Sequence, residues 1–148
     1  MKNSYKTSDA IHILIYIELY KGEREMTSTA IAKSVSSNPG VIRRLMAQLS
    51  QAGLISTQVG KAVPALTRQA SDISMLDVYK AVETECHLLQ VDQKTNQDCE
   101  LGRNIKNVLS DSYDQIQTAA DAEMARISLA DLILSVESEI NKEKTIKK

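Results

Sequence analysis

Arg43 and Arg44, with Gln48 one turn further on, are the side chains in this sequence best suited to a definite chemistry. A guanidinium pairs bidentately with the edge of guanine and a carboxamide with that of adenine, both from the major groove of duplex DNA. To do so they must share the outward face of a helix whose other face is held. The run from Pro39 to Gln51 supplies such a helix, because Ile42, Leu45, Met46 and Leu49 fall at i, i+3, i+4 and i+7 and make a single apolar stripe. Gly40, Val41, Arg43, Arg44, Ala47 and Gln48 are left on the opposite side. A short, uncharged start lets a helix of this kind enter a groove roughly 12 Å wide.

The flanking residues set the limits of that helix. Asn38 is a good N-cap and Pro39 stands at the first helical position, where a missing amide costs nothing. Gly53 ends it. Upstream, Thr27 and Ser28 cap a shorter helix carrying Ala30, Ile31 and Val35, and Ser36-Ser37-Asn38-Pro39 is the turn between the two. Thr27 to Ile55 therefore reads as helix, turn, helix. The residues expected to meet DNA are Thr27, Ser28, Ser37, Asn38, Gly40, Val41, Arg43, Arg44 and Gln48. Two adjacent arginines alone would favour an ordinary amphipathic helix with a solvated basic face. The capped short helix, the turn, the periodic second helix and the Ala52-Gly53-Leu54-Ile55 exit together favour recognition.

Beyond Gly53, Leu54 to Val59 and Ala65 to Arg68 read as two short strands around the loop Gly60-Lys61-Ala62-Val63-Pro64. A hairpin in that place is a wing. Lys61 at its tip and Arg68 at its base are placed to reach phosphates or a minor groove, adding affinity and salt dependence rather than sequence choice.

Charge follows the same division. The chain of 148 residues has a net charge of −1, but residues 1–70 hold nine Lys/Arg against four Asp/Glu, and residues 71–148 hold nine against fifteen. A basic head on an acidic body suits a polyanion partner that only the head should touch. The chain has no Phe or Trp and five Tyr, so it lacks the stacking platforms of single-strand binders, and duplex DNA is the better match. Two cysteines, Cys86 and Cys99, make no disulfide framework, which points to a reducing cytosol. The apolar run Ile11 to Tyr20 follows a capping signal at Thr7 and Ser8 and contains His12 and Glu18. It is too short for a bilayer, so neither a signal peptide nor a membrane span is expected.

Residues 8–20 read as a first helix, apolar on nearly every side and hence buried, with His12 packed or surface-facing. Lys21 to Glu25 is a charged turn. Ser74 caps a helix from Met75 to Glu85, and a polar loop runs from Cys86 to Glu100. From Arg103 to about Arg126 a long helix carries Ile105, Leu109, Tyr113, Ile116, Ala120 and Met124, with Ile127 beyond, in a near-heptad seam. A small winged domain does not need so long a helix for its own core, and this seam is expected to be a homodimer interface. Ser128 caps a last helix with Leu129, Leu132, Ile133, Val136 and Ile140 on one side, and the Lys-rich end from Lys142 is expected to fray. Three regions follow: 1–70, a winged helix-turn-helix; 71–101, a connecting helix and effector or sensor loop; and 102–148, dimerisation helices.

These segments together resemble the Rrf-two-type family of bacterial transcription regulators, over almost the whole chain. The likeness rests on the first apolar helix, on Asn38-Pro39-Gly40-Val41-Ile42-Arg43-Arg44-Leu45 leading to Ala52-Gly53-Leu54-Ile55, on Ile73 to Glu83, and on Asp98-Cys99-Glu100-Leu101-Gly102-Arg103-Asn104-Ile105. The resemblance implies a mostly α, winged helix-turn-helix protein with a small β-hairpin wing, dimerised through its long helix on palindromic operators. Members of the family include iron–sulfur-cluster regulators, nitric-oxide-responsive repressors and a repressor of cysteine metabolism. Cluster-binding relatives carry three cysteines before the long helix. Here Cys99 takes the third place and Cys86 lies thirteen residues earlier. Two thiolates are too few for the usual cluster unless Asp92, Asp98 or His87 substitutes, so no iron–sulfur cofactor and no other metal is expected. The family's Gly-Gly-Tyr type wing motif is replaced by Lys61-Ala62-Val63-Pro64-Ala65, and Arg43 stands where the cluster-binding relatives are acidic, so their operators do not carry over.

The expected function is a sequence-specific, dimeric DNA-binding regulator of the cytoplasm, most simply a repressor. Cys99, just before the long helix, is the candidate redox sensor, and Cys86 is its resolving partner only if the loop folds back. A protein or small molecule is the other kind of effector. The competing function is a winged-helix protein-interaction module without specific DNA binding. An enzyme finds no support, because His12 and His87 have no nucleophile or carboxylate at catalytic spacing and no Gly-rich phosphate loop occurs.

Overall fold

The computed structural model describes residues 4–58 and 61–147, with side chains except at positions 58, 61 and 62. Helix α1 (Lys6–Leu19) is the centre around which the head is built. Its buried residues Ala10, Ile13, Leu14, Tyr16 and Ile17 recur at three- and four-residue intervals, so one face meets several elements at once. Helices α2 (Ser28–Val35), α3 (Pro39–Gln51) and α4 (Met75–Val82) all pack against it. The common core takes Ile31 and Ala32 from α2, Ile42, Leu45 and Leu49 from α3, and Val78 and Val82 from α4, closed by Met26, Leu54, Ile55, Ile73 and Leu129. It continues past residue 70, joining the connecting helix to the head.

The expected caps form at α2 and α3 but not at α1, which opens at Lys6 behind Tyr5 with no side-chain cap, so Thr7 and Ser8 lie inside it and Thr7 Oγ1 donates instead to Glu83 (3.0 Å). Thr27 Oγ1 accepts from the Ala30 amide (3.1 Å) and Asn38 Oδ1 from the Gly40 amide (2.7 Å), with Pro39 opening α3. Between the helices Ser36 adopts the left-handed conformation (φ 58°), and the Ser37 amide reaches back to the Ala32 carbonyl, closing α2 with a non-glycine residue. Gly53 (φ 77°) turns the chain out of α3 as expected of it.

The wing is a two-stranded antiparallel sheet of β1 (Ile55–Gln58) and β2 (Lys61–Leu66), with Ile55 opposite Leu66 and Ser56 opposite Ala65. Its second strand begins four residues before the expected Ala65 and ends before Arg68. Pro64 sits within β2 and is buried; in a two-stranded sheet each strand has an open edge, so the missing amide need not break the ladder. The ladder is irregular between Ser56 and Gln58. The expectation for the Lys61 side chain and for Val59 and Gly60 at the tip lies outside the described residues.

The connecting helix stops at Val82 rather than Glu85, and the long helix α5 starts at Glu100 rather than Arg103 and runs to Arg126. At 27 residues α5 is about 40 Å long. It packs against α4, yet none of its side chains is buried. Helix α6 (Leu129–Ile146) returns to the head, packing on α1 and on a 3-10 turn at Ala70–Asp72 through buried Leu129 and half-buried Ile133. The expected fraying from Lys142 is corrected, since α6 stays helical to Ile146, aided by an exposed Lys142–Glu139 pair within its own turn.

The starts of α4 and α6 are copies of one motif, Ile73-Ser74-Met75-Leu76-Asp77 and Ile127-Ser128-Leu129-Ala130-Asp131. In each, the serine hydroxyl accepts from the aspartate amide (3.1 Å in both) and the aspartate carboxylate accepts from the serine amide, at 2.9 Å in the first and 3.1 Å in the second. The two motifs pair with each other: the Met75 amide donates to the Ile127 carbonyl and the Leu129 amide to the Ile73 carbonyl, both at 2.8 Å. This bridge ties the far end of α5 to the core of the head.

The paired capping boxes give the fold an acid limit. Burial alone would raise the Asp77 carboxyl, but the amide and hydroxyl of Ser74 and the Arg68 guanidinium outweigh it and hold it below the ordinary value of 3.8. Asp131 is held below 3.8 by the amide and hydroxyl of Ser128. A carboxylate lowered in the folded state contributes its stability above the unfolded pKa and loses it as pH falls through the folded one. Thermal melts between about pH 5 and pH 2 are expected to show falling stability, and Asp77→Asn with Asp131→Asn to be less stable at neutral pH with a shallower acid slope. An unchanged slope in that double variant would contradict the assignment.

Candidate nucleic-acid interface

The core stripe of α3 is placed as its period requires: Ile42, Leu45 and Leu49 are buried and Met46 is half-buried. This orients the opposite face outward. Arg43, Arg44, Ala47 and Gln51 are exposed, Val41 is 40% exposed and Gly40 is partly covered. Among the described residues no carboxylate pairs with Arg43 or Arg44. The two arginines nevertheless differ, for Arg43 Nη1 donates to Ser28 Oγ on α2 (3.3 Å). Thr27 and Asn38 are exposed but their side-chain oxygens cap α2 and α3; Ser37 is half-buried in the turn.

Two residues stand differently from the sequence expectation. Gln48 is half-buried and its Oε1 is buried without a hydrogen-bond partner, so it flanks the core stripe rather than projecting freely like Arg44. At 100° per residue, position 48 lies at the border of the two faces, and neighbouring packing decides it. Arg68 is exposed but engaged within the protein: its Nε donates to the Asp72 carbonyl (2.9 Å) and its Nη2 to Asp77 (3.3 Å), which joins the chain just after β2 to the start of α4. Gln51, exposed in line with Arg44 and Ala47, is absent from the residues picked out by motif, although its spacing already placed it there. His12 faces the surface, its Nε2 2.8 Å from Ser34 Oγ.

The two thiols are far apart. Cys99 is exposed at the N-cap of α5, whereas Cys86 is half-buried with Sγ 3.7 Å from the Glu83 carbonyl. Leu88, just beyond Cys86, donates its amide to Gln117 Oε1 (2.9 Å), and Gln117 in turn donates to Asp121 (2.8 Å). From Cys99 to Gln117 along α5 is about 27 Å at the helical rise. Allowing for the Gln117 side chain and the short span to Cys86, the two Cα atoms are more than ~10 Å apart, beyond the roughly 7 Å reach of a disulfide. The loop runs along α5 instead of folding back, which corrects the pairing of Cys86 with Cys99 inside one protomer. Among the described residues no group of three or more His, Cys, Asp or Glu is disposed to hold a metal ion. The donor set of one protomer does not fit an iron–sulfur cluster.

The loop is seated on the first turn of α5 by close packing that spacing does not reveal. Thr95 Oγ1 donates to the Gly102 carbonyl (2.6 Å), Arg103 Nη1 to the Gln97 carbonyl (3.0 Å), and a Cβ at Gly102 would collide with the Asn96 carbonyl. Alanine ordinarily favours a helix over glycine by up to about 1 kcal/mol. Here Gly102→Ala is expected to act in the opposite sense, by roughly 1–3 kcal/mol of local overpacking. Faster amide exchange at residues 95–99 would report it; unchanged exchange there would contradict the close approach.

Among the described residues no helix is long and apolar enough to cross a membrane. The profile of the Rrf2 family, described as iron-dependent transcriptional regulator, matches residues 3–135. The chain is 35% identical over 124 residues to the "Putative HTH-type transcriptional regulator YwnA" of Bacillus subtilis (strain 168), covering 84% of this chain and 91% of that protein. A crystal structure described as that of "a putative DNA binding protein" superposes with a TM-score of 0.72 at 33% identity, covering 86% of this chain and 98% of the other. The fold is shared with CymR, the global cysteine regulator of B. subtilis, at a TM-score of 0.65 and 20% identity, over 90% of this chain and 96% of that one. A helix-turn-helix head with a two-stranded wing, an outward arginine face and likeness of this extent identify the chain as a member of the Rrf2 family of DNA-binding transcriptional regulators.

Proposed function

We propose that the protein acts as a homodimer that binds a palindromic operator through α3 and represses transcription by occluding a promoter. The observation that carries this is the pairing of an exposed Arg43–Arg44 face with a long helix whose apolar seam is only partly covered within the protomer, Ile105, Leu109, Tyr113, Ala120 and Met124 being half-buried and Ile116 exposed. Ile116 is 46% exposed, and Val108 and Leu101 beside the seam are 61% and 69% exposed. Apolar surface of that extent is favourable to cover with a second copy, using Ile105, Leu109, Tyr113, Ile116, Ala120 and Met124. Two heads joined by a two-fold axis match two half-sites related by the same axis. Such a regulator works in the cytoplasm, where its DNA is.

The reading extends to the signal. Cys99 is exposed at the end of α5, so oxidation to a sulfenic acid, or a disulfide between the Cys99 thiols of two protomers, would act on the helix that sets the spacing of the two heads. In this reading the protein works without an iron–sulfur cluster, because the chain offers two thiolates. The test is binding of the purified protein to duplexes from its own promoter region, with peroxide and then reductant. Tight binding lost on oxidation, restored by reductant and insensitive in Cys99→Ser supports a thiol-switched repressor. Binding indifferent to peroxide discards the switch and leaves the DNA-binding regulator. A monomer at micromolar concentration in solution would discard the dimer.

A further inference from the structure

We infer that Ser28 is a specificity-determining positioning residue: its hydroxyl pre-sets the Arg43 guanidinium on the recognition helix before DNA arrives. The inference rests on the reading of α3 as the base-reading helix. Arg43 is an exposed side chain with four rotatable bonds, and an arginine of this kind ordinarily loses much rotamer freedom when it engages a base edge. In this chain the freedom is already restricted. Nη1 donates to Ser28 Oγ at 3.3 Å, and Nη2 lies 3.9 Å from the place a Cβ would occupy on Gly40. The guanidinium is thus drawn back toward the start of α3, between the first turn of α2 and a glycine that leaves room for it.

The hydroxyl of Ser28 is not spent on capping, since Thr27 supplies the oxygen that accepts from Ala30. Ser28 is half-buried, which restrains its own side chain, and it lies fifteen residues from Arg43 in sequence, so the contact locks α2 to α3 as well as orienting the arginine. Arg44, one residue on, has no comparable partner among the described residues. The two arginines therefore read under different constraints: Arg43 with a fixed approach that rejects a misplaced base edge, Arg44 with an adaptable one.

The experiment determines the preferred half-site by competition from a randomised duplex pool. It then measures the ratio of preferred to single-base-substituted affinity for the wild type, Ser28→Ala, Ser28→Thr, Arg43→Ala and the Ser28→Ala/Arg43→Ala double variant. Thermal melts accompany each to confirm folding. Ser28→Ala is expected to lower the ratio by about three- to tenfold, as for a lost hydrogen bond, at the same base pair where Arg43→Ala does. The double variant should fall no further than Arg43→Ala alone, and Ser28→Thr should retain the preference. The salt slope should not change in Ser28→Ala. An unchanged ratio, losses that multiply in the double variant, or a uniform loss with the slope reduced by about one would overturn the inference, the last by making Ser28 a phosphate contact. A wild type with no preference for any duplex would overturn the base-reading of α3, and this inference with it.

Discussion

Arg44→Ala is expected to lose about 1–3 kcal/mol of operator affinity, roughly 5- to 150-fold in Kd, while its binding to random duplex weakens far less. Arg44 lies on the side of α3 opposite buried Ile42, Leu45 and Leu49, is exposed, and has no carboxylate partner among the described residues to be broken first. The loss would therefore report the base contact and not a disturbed fold. Titration of preferred and scrambled duplexes at fixed salt gives the number. Equal losses on both would make Arg44 a phosphate contact and remove it from the recognition set.

Leu129→Ala is expected to destabilise the protein by about 2–5 kcal/mol, a large fraction of the total stability of a domain this size. Leu129 is 1% exposed, is the buried residue of α6, and donates its amide to Ile73, which is itself fully buried. Removing its side chain opens a cavity where α6 meets the head, beside the bridge that also fixes the end of α5. The effect should reach DNA binding indirectly, by loosening the link between the long helix and the head. Urea denaturation followed by far-UV circular dichroism measures it; a loss under about 0.5 kcal/mol would mean that α6 is not docked as described.

The parts of the fold legible in the sequence are those decided within one or two turns. Thr27, Asn38, Ser74 and Ser128 each cap the helix that local chemistry assigns them, and the stripe of Ile42, Leu45 and Leu49 orients α3 without reference to anything else. What required the structure depends on distant partners. Ser74 and Ser128 read as two separate caps, and only the tertiary bridge makes them a joint. Glycine at 102 looks helix-weakening until the Asn96 carbonyl is seen against it. Gln48 and Arg68 have the composition of DNA-contacting residues, but one is half-buried at the border of the stripe and the other is held by Asp77. The wing strand extends through Pro64 because an edge tolerates proline, which propensity alone does not indicate.

The most direct test of the central claim is the salt dependence of binding to the preferred duplex compared with a scrambled one. The arginine-faced α3 at the end of a basic head predicts binding that falls steeply with salt, with a log–log slope of about −0.9 for each phosphate neutralised, and a preferred site held at least about a thousandfold more tightly than scrambled DNA. Binding to neither duplex at low salt, or equal binding to both at every salt concentration, would contradict it.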